Sequence, residues 1–278
     1  MQTARTSIAY LFLSALPLLA FAQTQPVNSP NYAMLTHIPV ETKFIVTDQL
    51  QQIYAVTPNN TIIKFVPKGT SDYQEQYRFS NNTLGELDHL DATDPFNLLL
   101  YYPDYQTIIT LDRTLNQTGS FNLIAAGVVQ ARTAALSNDG YIWVYDEAAF
   151  QLRQLNRTGK ALLESQQLSL LLPQAPQAHQ LTARENLVYL SDPQLGILVF
   201  NNFGQYLKLI PLQNIAKFQI LDKLLIYKRG NTLELYNLIT SQHSVMSLPT
   251  GLNESDQVQV QQGRLFVQKK DRIEIYSF

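Results

Sequence analysis

Short runs of alternating apolar and polar residues recur along this chain, and each is followed by a polar turn and a second run of the same kind. Six copies of this pattern begin at Gln52, Leu98, Tyr141, Leu187, Leu224 and Leu265. Equivalent apolar positions in successive copies are 46, 43, 46, 37 and 41 residues apart. Repeats of about 40–50 residues that contain strands and no helices are typical of β-propellers. The pattern therefore predicts an all-β fold, a six-bladed β-propeller of four-stranded antiparallel blades.

The fifth repeat shows the four predicted strands of one blade most clearly. From the channel outward they cover 216–222, 223–229, 232–238 and 243–249. In the third and fourth repeats, Gly159 and Gly204 lie in the turn before the outer strand, where a hairpin needs a positive φ. The only tryptophan, Trp143, lies in a second strand, and we expect it to be buried between blades.

The last repeat lacks a fourth strand, because the chain stops at Phe278 directly after its third strand. Residues Met34–Pro39 resemble the outer strands of other repeats and belong to no repeat of their own. We therefore expect this N-terminal strand to complete the last blade and close the ring, which would remove an exposed strand edge. The alternative is a loose leader, since chain termini are often poorly ordered.

Residues 1–22 have the features of a secretory signal peptide. Arg5 precedes an apolar run from Ile8 to Phe21, and small residues stand before Gln23. The run is shorter than the roughly 20 residues of a membrane-spanning helix, so we expect no integral membrane segment after cleavage; the alternative is an uncleaved anchor. Residues 23–278 would then form one propeller domain, exported to the periplasm, the outer membrane or the extracellular space.

The composition argues against several classes of function. A net charge of −2 provides no basic surface for nucleic acid, so no nucleic-acid partner is expected. The absence of cysteine excludes disulfides and cysteine-based catalysis. The chain has no phosphate-binding loop, dinucleotide fingerprint, nucleophile elbow or zinc-binding spacing, and we expect neither a cofactor nor a metal.

The turn segments LNQTGSFNL, LNRTGKALL and FNNFGQYLKL resemble those of six-bladed propellers of the NHL and TolB-like kind, and the chain looks like a small exported propeller of Bacteroidota. The resemblance covers all six repeats and lies in strand rhythm and turn glycines. It implies that function lies in the loops of one face and in the mouth of the central channel. The fold alone does not identify a reaction, because propellers have many unrelated functions.

Alignment of the predicted innermost strands places a mainly basic or neutral set of side chains at corresponding depth in the channel. The set is Lys43, His89, Arg132, His179, Lys217 and Gln257. It lacks the oxygen ligands that a calcium ion would need. His89 and Asp91 share one face of a strand, because residues two apart point the same way. They are candidates for an acid–base or metal-binding pair, or the carboxylate only orients a structural histidine.

The loops between the second and third strands of all repeats share one face of a propeller, here called the loop face. Aromatic residues there could anchor a protein partner, and charges could set its orientation. The docking candidates are Asp104, Tyr105, Asp146, Glu147, Arg229, Lys269 and Lys270. The alternative is that these loop tips are polar because they lie in water. The segment 168–178 could cap a blade edge, cover the channel or contact a partner.

We therefore hypothesise a non-enzymatic exported propeller, monomeric in fold, that binds a protein partner in the cell envelope or a secretion assembly. The alternative is a propeller hydrolase or lyase that acts on a small polar or carbohydrate substrate at the channel mouth. In that alternative, His89 and Asp91 are the chemical groups to test. The sequence assigns a catalytic role to no residue.

Overall fold

The computed structural model describes residues 25–26 and 30–278, so the predicted signal peptide at 1–22 lies outside the described residues. Within the described residues, 25 strands form six sheets. One short 3₁₀ helix lies outside the sheets. Each sheet is one blade of four antiparallel strands, and one blade carries an additional two-residue strand. The predicted all-β, six-bladed propeller is therefore confirmed.

The strands are numbered along the chain and grouped by blade, from the channel outward. Before the first blade come β1 (Gln25–Pro26) and β2 (Ala33–Ile38). Blade one contains β3 (Phe44–Thr47), β4 (Ile53–Val56), β5 (Thr61–Lys68) and β6 (Asp72–Ser80). Blade two contains β7 (His89–Asp94), β8 (Asn97–Tyr102), β9 (Thr107–Asp112) and β10 (Gln117–Asn122). Blade three contains β11 (Ala131–Leu136), β12 (Ile142–Asp146), β13 (Gln151–Leu155) and β14 (Ala161–Glu164).

The second half of the ring follows the same plan. The 3₁₀ helix Leu168–Leu170 precedes blade four, which contains β15 (Gln180–Arg184), β16 (Leu187–Asp192), β17 (Gly196–Asn201) and β18 (Tyr206–Ile210). Blade five contains β19 (Gln219–Leu221), β20 (Leu224–Arg229), β21 (Thr232–Asn237) and β22 (His243–Ser247). Blade six contains β23 (Gln257–Gln261), β24 (Arg264–Gln268), β25 (Ile273–Ser277) and β2.

The N-terminal strand completes blade six, as the sequence predicts. In the antiparallel pair of β2 and β25, Ala33 lies opposite Ser277 and Ile38 lies opposite Ile273. The strand β1 also reaches a neighbouring edge, because it pairs in parallel with β22 of blade five. The two ends of the described chain therefore meet in one sheet, which gives the ring its closure.

The core lies between neighbouring blades, where both faces of the second strands are covered. All four residues of β4 and all five of β12 are buried. Trp143 of β12 is 1% exposed and packs with Leu181 and Leu198 of blade four, so its predicted burial is confirmed. Gly159 and Gly204 have φ values of +82° and +72°, as the predicted hairpin turns require. No helix among the described residues is long and apolar enough to span a membrane.

Candidate functional site

The innermost strands enclose a cavity of about 420 Å³ along the axis of the ring. All six blades contribute to its wall, from Lys43 in blade one to Gln257 in blade six. Each innermost strand begins where the chain arrives from the previous blade, on the side of the molecule that carries the loop face. The residues at the starts of these strands therefore form the channel mouth, and the mouth opens on the loop face.

The two lysines of the mouth differ in their electrostatic surroundings. Lys43 Nζ forms an ion pair with Glu86 Oε2 at 2.7 Å and donates to the carbonyl oxygen of Leu87 at 3.2 Å. Lys217 Nζ donates to Gln257 Oε1 at 3.1 Å and lies 5.2 Å from the centroid of the Phe44 ring. Burial lowers the pKa of Lys217, with Asp88 opposing and Lys43 adding to the effect. Lys217 is therefore an exposed cation at the mouth whose closest partners among the described residues are neutral.

His89 lines the cavity and is held in an environment that disfavours its charged form. Its Nε2 atom is buried without a hydrogen-bond partner among the described residues. Burial lowers the pKa of His89, and the carboxylates of Asp91 and Asp88 oppose that effect. The imidazole is therefore neutral at physiological pH.

Asp91 has a structural role that the sequence does not reveal. Its Oδ2 atom accepts the backbone N–H of Leu136 in blade three at 2.8 Å, and its Oδ1 atom accepts the backbone N–H of Thr93 at 2.8 Å. Leu90, next along the strand, packs in the core between blades one and two, which matches the predicted alternation. No hydrogen bond between the side chains of His89 and Asp91 occurs among the described residues, so the carboxylate orients the backbone of blade three rather than the imidazole.

The structure separates Arg132 from the other channel candidates. The pairing of β11 with β12 shifts between Ala131 and Thr133, so Arg132 is the additional residue of a β-bulge. Its side chain is exposed, and its Nε atom donates to the carbonyl oxygen of Ala178 at 3.2 Å. Thr133 takes its place in the cavity wall. Arg132 therefore does not stand at the depth of Lys43, His89, His179 and Lys217, which all line the cavity.

The described residues contain no group of three histidine or carboxylate side chains that could hold a metal ion. His37 lies on the outer strand of blade six, and His243 pairs with Glu234 at 2.8 Å on the outer part of blade five. Neither side chain reaches the channel. The mouth presents side chains that can bind through hydrogen bonds and charge.

Neighbouring blades are joined near the channel by side-chain amides that bond to the next blade's backbone. Gln106 Oε1 accepts the N–H of Ala131 at 2.7 Å, and Gln180 binds both the N–H and the carbonyl oxygen of Phe218, at 3.0 and 2.8 Å. Gln219 Oε1 accepts the N–H of Val260 at 2.8 Å. These contacts fix the positions of the innermost strands, and the sequence alone does not reveal them.

Two of the docking candidates on the loop face are buried, which corrects the expectation that they lie at exposed loop tips. Asp146 is 0% exposed, and its carboxylate accepts the backbone N–H groups of Val129 and Gln130 at 3.1 and 3.2 Å. Lys269 is 9% exposed and pairs with Asp256 at 2.6 Å. Both side chains hold the incoming connection of a blade, so neither is available to a partner.

The remaining docking candidates differ in how accessible they are. Tyr105 is 56% exposed, and Asp104 and Lys270 are also exposed. Glu147 is half-buried, and the exposed guanidinium of Arg229 lies 5.3 Å from the Tyr227 ring. Among these, Tyr105 has a large apolar surface open to water.

Tyr105 lies in an exposed apolar strip that runs along the loop face over blades two to four. We define this apolar strip by residues that are 42–80% exposed: Tyr105, Ile124, Val129, Leu170 and Leu171. Asn122 Nδ2 donates to the carbonyl oxygen of Tyr105 at 2.8 Å, which joins the segments of Tyr105 and Ile124. The N–H of Leu168 donates to the carbonyl oxygen of Phe150 at 2.8 Å, which holds the segment of Leu170 and Leu171 on blade three. Asp104 and Glu147 lie at its margin. The sequence suggested only Tyr105 and the segment 168–178.

Comparison with known proteins identifies the fold and no family. No protein-family profile matches this chain, and no curated protein is similar to it in sequence. Virginiamycin B lyase from Staphylococcus aureus superposes with a TM-score of 0.61 at 10% identity, covering 89% of this chain and 100% of the lyase. A streptogramin B lyase gives 0.57 at 14% identity, with coverage of 89% and 87%.

A WD40 domain is comparably similar. The Pan2 WD40 domain from Neurospora crassa superposes with a TM-score of 0.54 at 12% identity and covers 91% of this chain and 97% of that domain. At identities of 10–14%, these likenesses show a shared propeller fold alone. The function of this chain must therefore be inferred from its own residues.

Proposed function

We propose that this protein is a non-enzymatic binding platform that docks one protein partner on its loop face. The observation that carries the proposal is the apolar strip, which exposes five large side chains over three adjacent blades. Contiguous exposed apolar surface with a polar margin is the usual mark of a protein interaction site. The partner is inferred to present apolar anchors to Tyr105 and Leu170 and basic groups to Asp104 and Glu147.

The acid–base alternative has less support from the channel. General acid–base catalysis needs a proton-transfer group within reach of a substrate and commonly a second group that orients it. Both carboxylate oxygens of Asp91 accept backbone N–H groups, so this residue is already used within the fold. His89 makes no hydrogen bond with Asp91 among the described residues, so its neutral imidazole lacks the orienting partner that this alternative requires.

The proposal includes export to the cell envelope. The signal-like features of residues 1–22 and the turns that resemble NHL and TolB-like propellers of Bacteroidota support it. Mass spectrometry of the protein from its native host tests this part separately. We expect a mature chain that begins at Gln23, and an intact N-terminal Met1 would contradict export by cleavage.

Site-specific crosslinking tests the docking surface. A photoreactive residue at position 170 should capture one partner in native cells, and the same residue at position 203 should not. Phe203 is a matched control because it is 65% exposed but lies in the turn between β17 and β18, on the opposite face. Equal capture at both positions, or no capture at position 170, would refute the platform.

Substitutions then test which side chains contact the partner. Tyr105→Ser combined with Leu170→Ser should abolish recovery of the crosslinked partner while leaving the melting temperature unchanged, because a few apolar anchors dominate most interfaces. Phe203→Ser combined with Ile239→Ser removes equally exposed apolar surface from the opposite face. If this control pair reduced recovery as strongly, the apolar strip would not be the docking site.

A further inference from the structure

Two opposite charges without ion-pair partners line the same channel mouth. Among the described residues, Lys217 has no carboxylate within ion-pair distance, and its ammonium group donates only to the amide oxygen of Gln257. The carboxylate of Asp88 is exposed to the cavity and makes no hydrogen bond or ion pair with the described residues. By contrast, Lys43 is paired with Glu86 and Asp91 is bound to backbone.

The position of Lys217 makes a bound anion favourable. Lys217 is exposed at the mouth, and its only hydrogen-bond acceptor among the described residues is the neutral amide oxygen of Gln257. The protein around it lowers its pKa, so the surroundings do not compensate the charge fully. A hydrogen bond between two charged groups is stronger than one between a cation and a neutral amide. A carboxylate that entered the mouth would supply a counter-charge to Lys217.

The rest of the wall is suited to hydroxyl groups. It is lined by amide side chains, among them Gln257 and Gln259, which can both donate and accept. Deeper in the channel, Gln261 is 4% exposed and its Oε1 atom has no hydrogen-bond partner among the described residues. The cavity volume of about 420 Å³ lies within the usual range for small-molecule sites, about 300–1,000 Å³.

We propose that the channel mouth binds a small sugar acid, with the carboxylate on Lys217 and hydroxyl groups on Asp88 and Gln257. The carboxylate of the ligand pairs with Lys217. Its hydroxyl groups donate to Asp88, and they donate to and accept from the amide of Gln257. A neutral sugar lacks the counter-charge for Lys217, and a simple carboxylate lacks donors for Asp88. The site requires both features in one molecule, and it is independent of the docking surface.

Titration calorimetry at low ionic strength and pH 7 tests this site. The probes are D-glucuronate and D-gluconate, compared with D-glucose, acetate and glycine. We expect saturable binding of at least one of the two sugar acids, and at least tenfold weaker binding of D-glucose and acetate. Lys217→Gln should weaken sugar-acid binding at least tenfold, since hydrogen bonds to charged groups contribute roughly 1.5–3 kcal/mol. Lys160→Gln, on an exposed turn outside the cavity, should leave it unchanged.

Asp88→Asn provides a second variant in case Lys217→Gln fails to fold. It retains the shape of Asp88 but removes its charge, and it should lower the ratio of sugar-acid affinity to acetate affinity severalfold, because acetate has no hydroxyl group that donates to residue 88. Three results would each overturn the proposal: no saturable binding of either sugar acid, equal binding to the Lys217→Gln variant, or glycine binding as tightly as the sugar acids. The last result would assign the two charges to a zwitterion instead.

Discussion

The carboxylate of Asp91 in blade two accepts the backbone N–H of Leu136 in blade three at 2.8 Å, within the buried interior. The bond spans two innermost strands that share no sheet. With the amide contacts of Gln106 and Gln180, it fixes the distance between blades beside the channel. A residue selected as a candidate for chemistry is thus part of the framework that shapes the cavity.

Removal of this carboxylate should destabilise the ring. Asp91→Ala leaves the buried N–H of Leu136 without an acceptor, and we expect the free energy of unfolding to fall by about 1–3 kcal/mol. Urea denaturation measures the change. Asp72→Ala removes an exposed carboxylate that accepts only the N–H of the next residue, and should alter stability by no more than about 0.5 kcal/mol. Equal effects of the two substitutions would show that the contact between the blades contributes little.

Deletion of residues 23–41 should prevent closure. The truncated chain would leave the edge of β25 unpaired, and we expect loss of soluble monomer in size-exclusion chromatography. Deletion of residues 23–29 alone retains β2 and should preserve a monomer with nearly the same melting temperature. A soluble monomer with an unchanged melting temperature after the longer deletion would show that β2 is dispensable.

Trp143 provides a direct measure of packing between blades three and four. Trp143→Ala should lower the free energy of unfolding by about 3–5 kcal/mol, the cost of truncating a large buried aromatic side chain. Because it is the only tryptophan, its fluorescence reports on this position alone. Acrylamide should quench it poorly in the folded protein, and efficient quenching would contradict its burial.

His89 should make the fold sensitive to mild acid. Its folded-state pKa is lowered by burial, and Lys217 adds to this effect, whereas Asp91 and Asp88 oppose it. As the pH falls through about 6.5, the unfolded chain binds a proton that the folded chain does not, so stability is complete above that pH and declines below it. The decline from this residue is at most about 1.4 kcal/mol per pH unit.

The comparison with His89→Gln isolates this residue from the other titrating groups. Between pH 7 and pH 5, wild type should lose more stability than the variant in urea denaturation. Parallel stability curves would show that His89 takes up a proton equally well in the folded and unfolded states.

Much of the fold could be predicted from the sequence, because alternation of apolar residues reports directly which strand faces are buried. The apolar run at Ile53 and its equivalents in the other repeats mark the second strand of each blade. The segment around Met34 belongs to no repeat, and it predicts the strand that closes the ring. Arg132 could not be placed correctly, because a one-residue bulge leaves no trace in the hydrophobic pattern. A single inserted residue is enough to move a side chain out of the channel.

The exposure of side chains on the loop face cannot be predicted from the sequence, for a different reason. Asp146 and Lys269 are polar residues near turns, and the sequence shows their polarity but not the segments that cover them. In the structure, the connections from the preceding blades pack over both side chains. Ile124 and Val129 lie in such a connection, outside every predicted strand, so strand periodicity could not identify them as exposed.

The pairing of Ala33 with Ser277 also sets the order in which the molecule can assemble. The ribosome makes the β2 strand long before its partner β25, so the first five blades can form while the sixth still lacks three strands. Contacts between residues so distant in sequence are slow to form. Closure is therefore expected to be the last step of folding, and until it occurs the edge of β25 is unpaired.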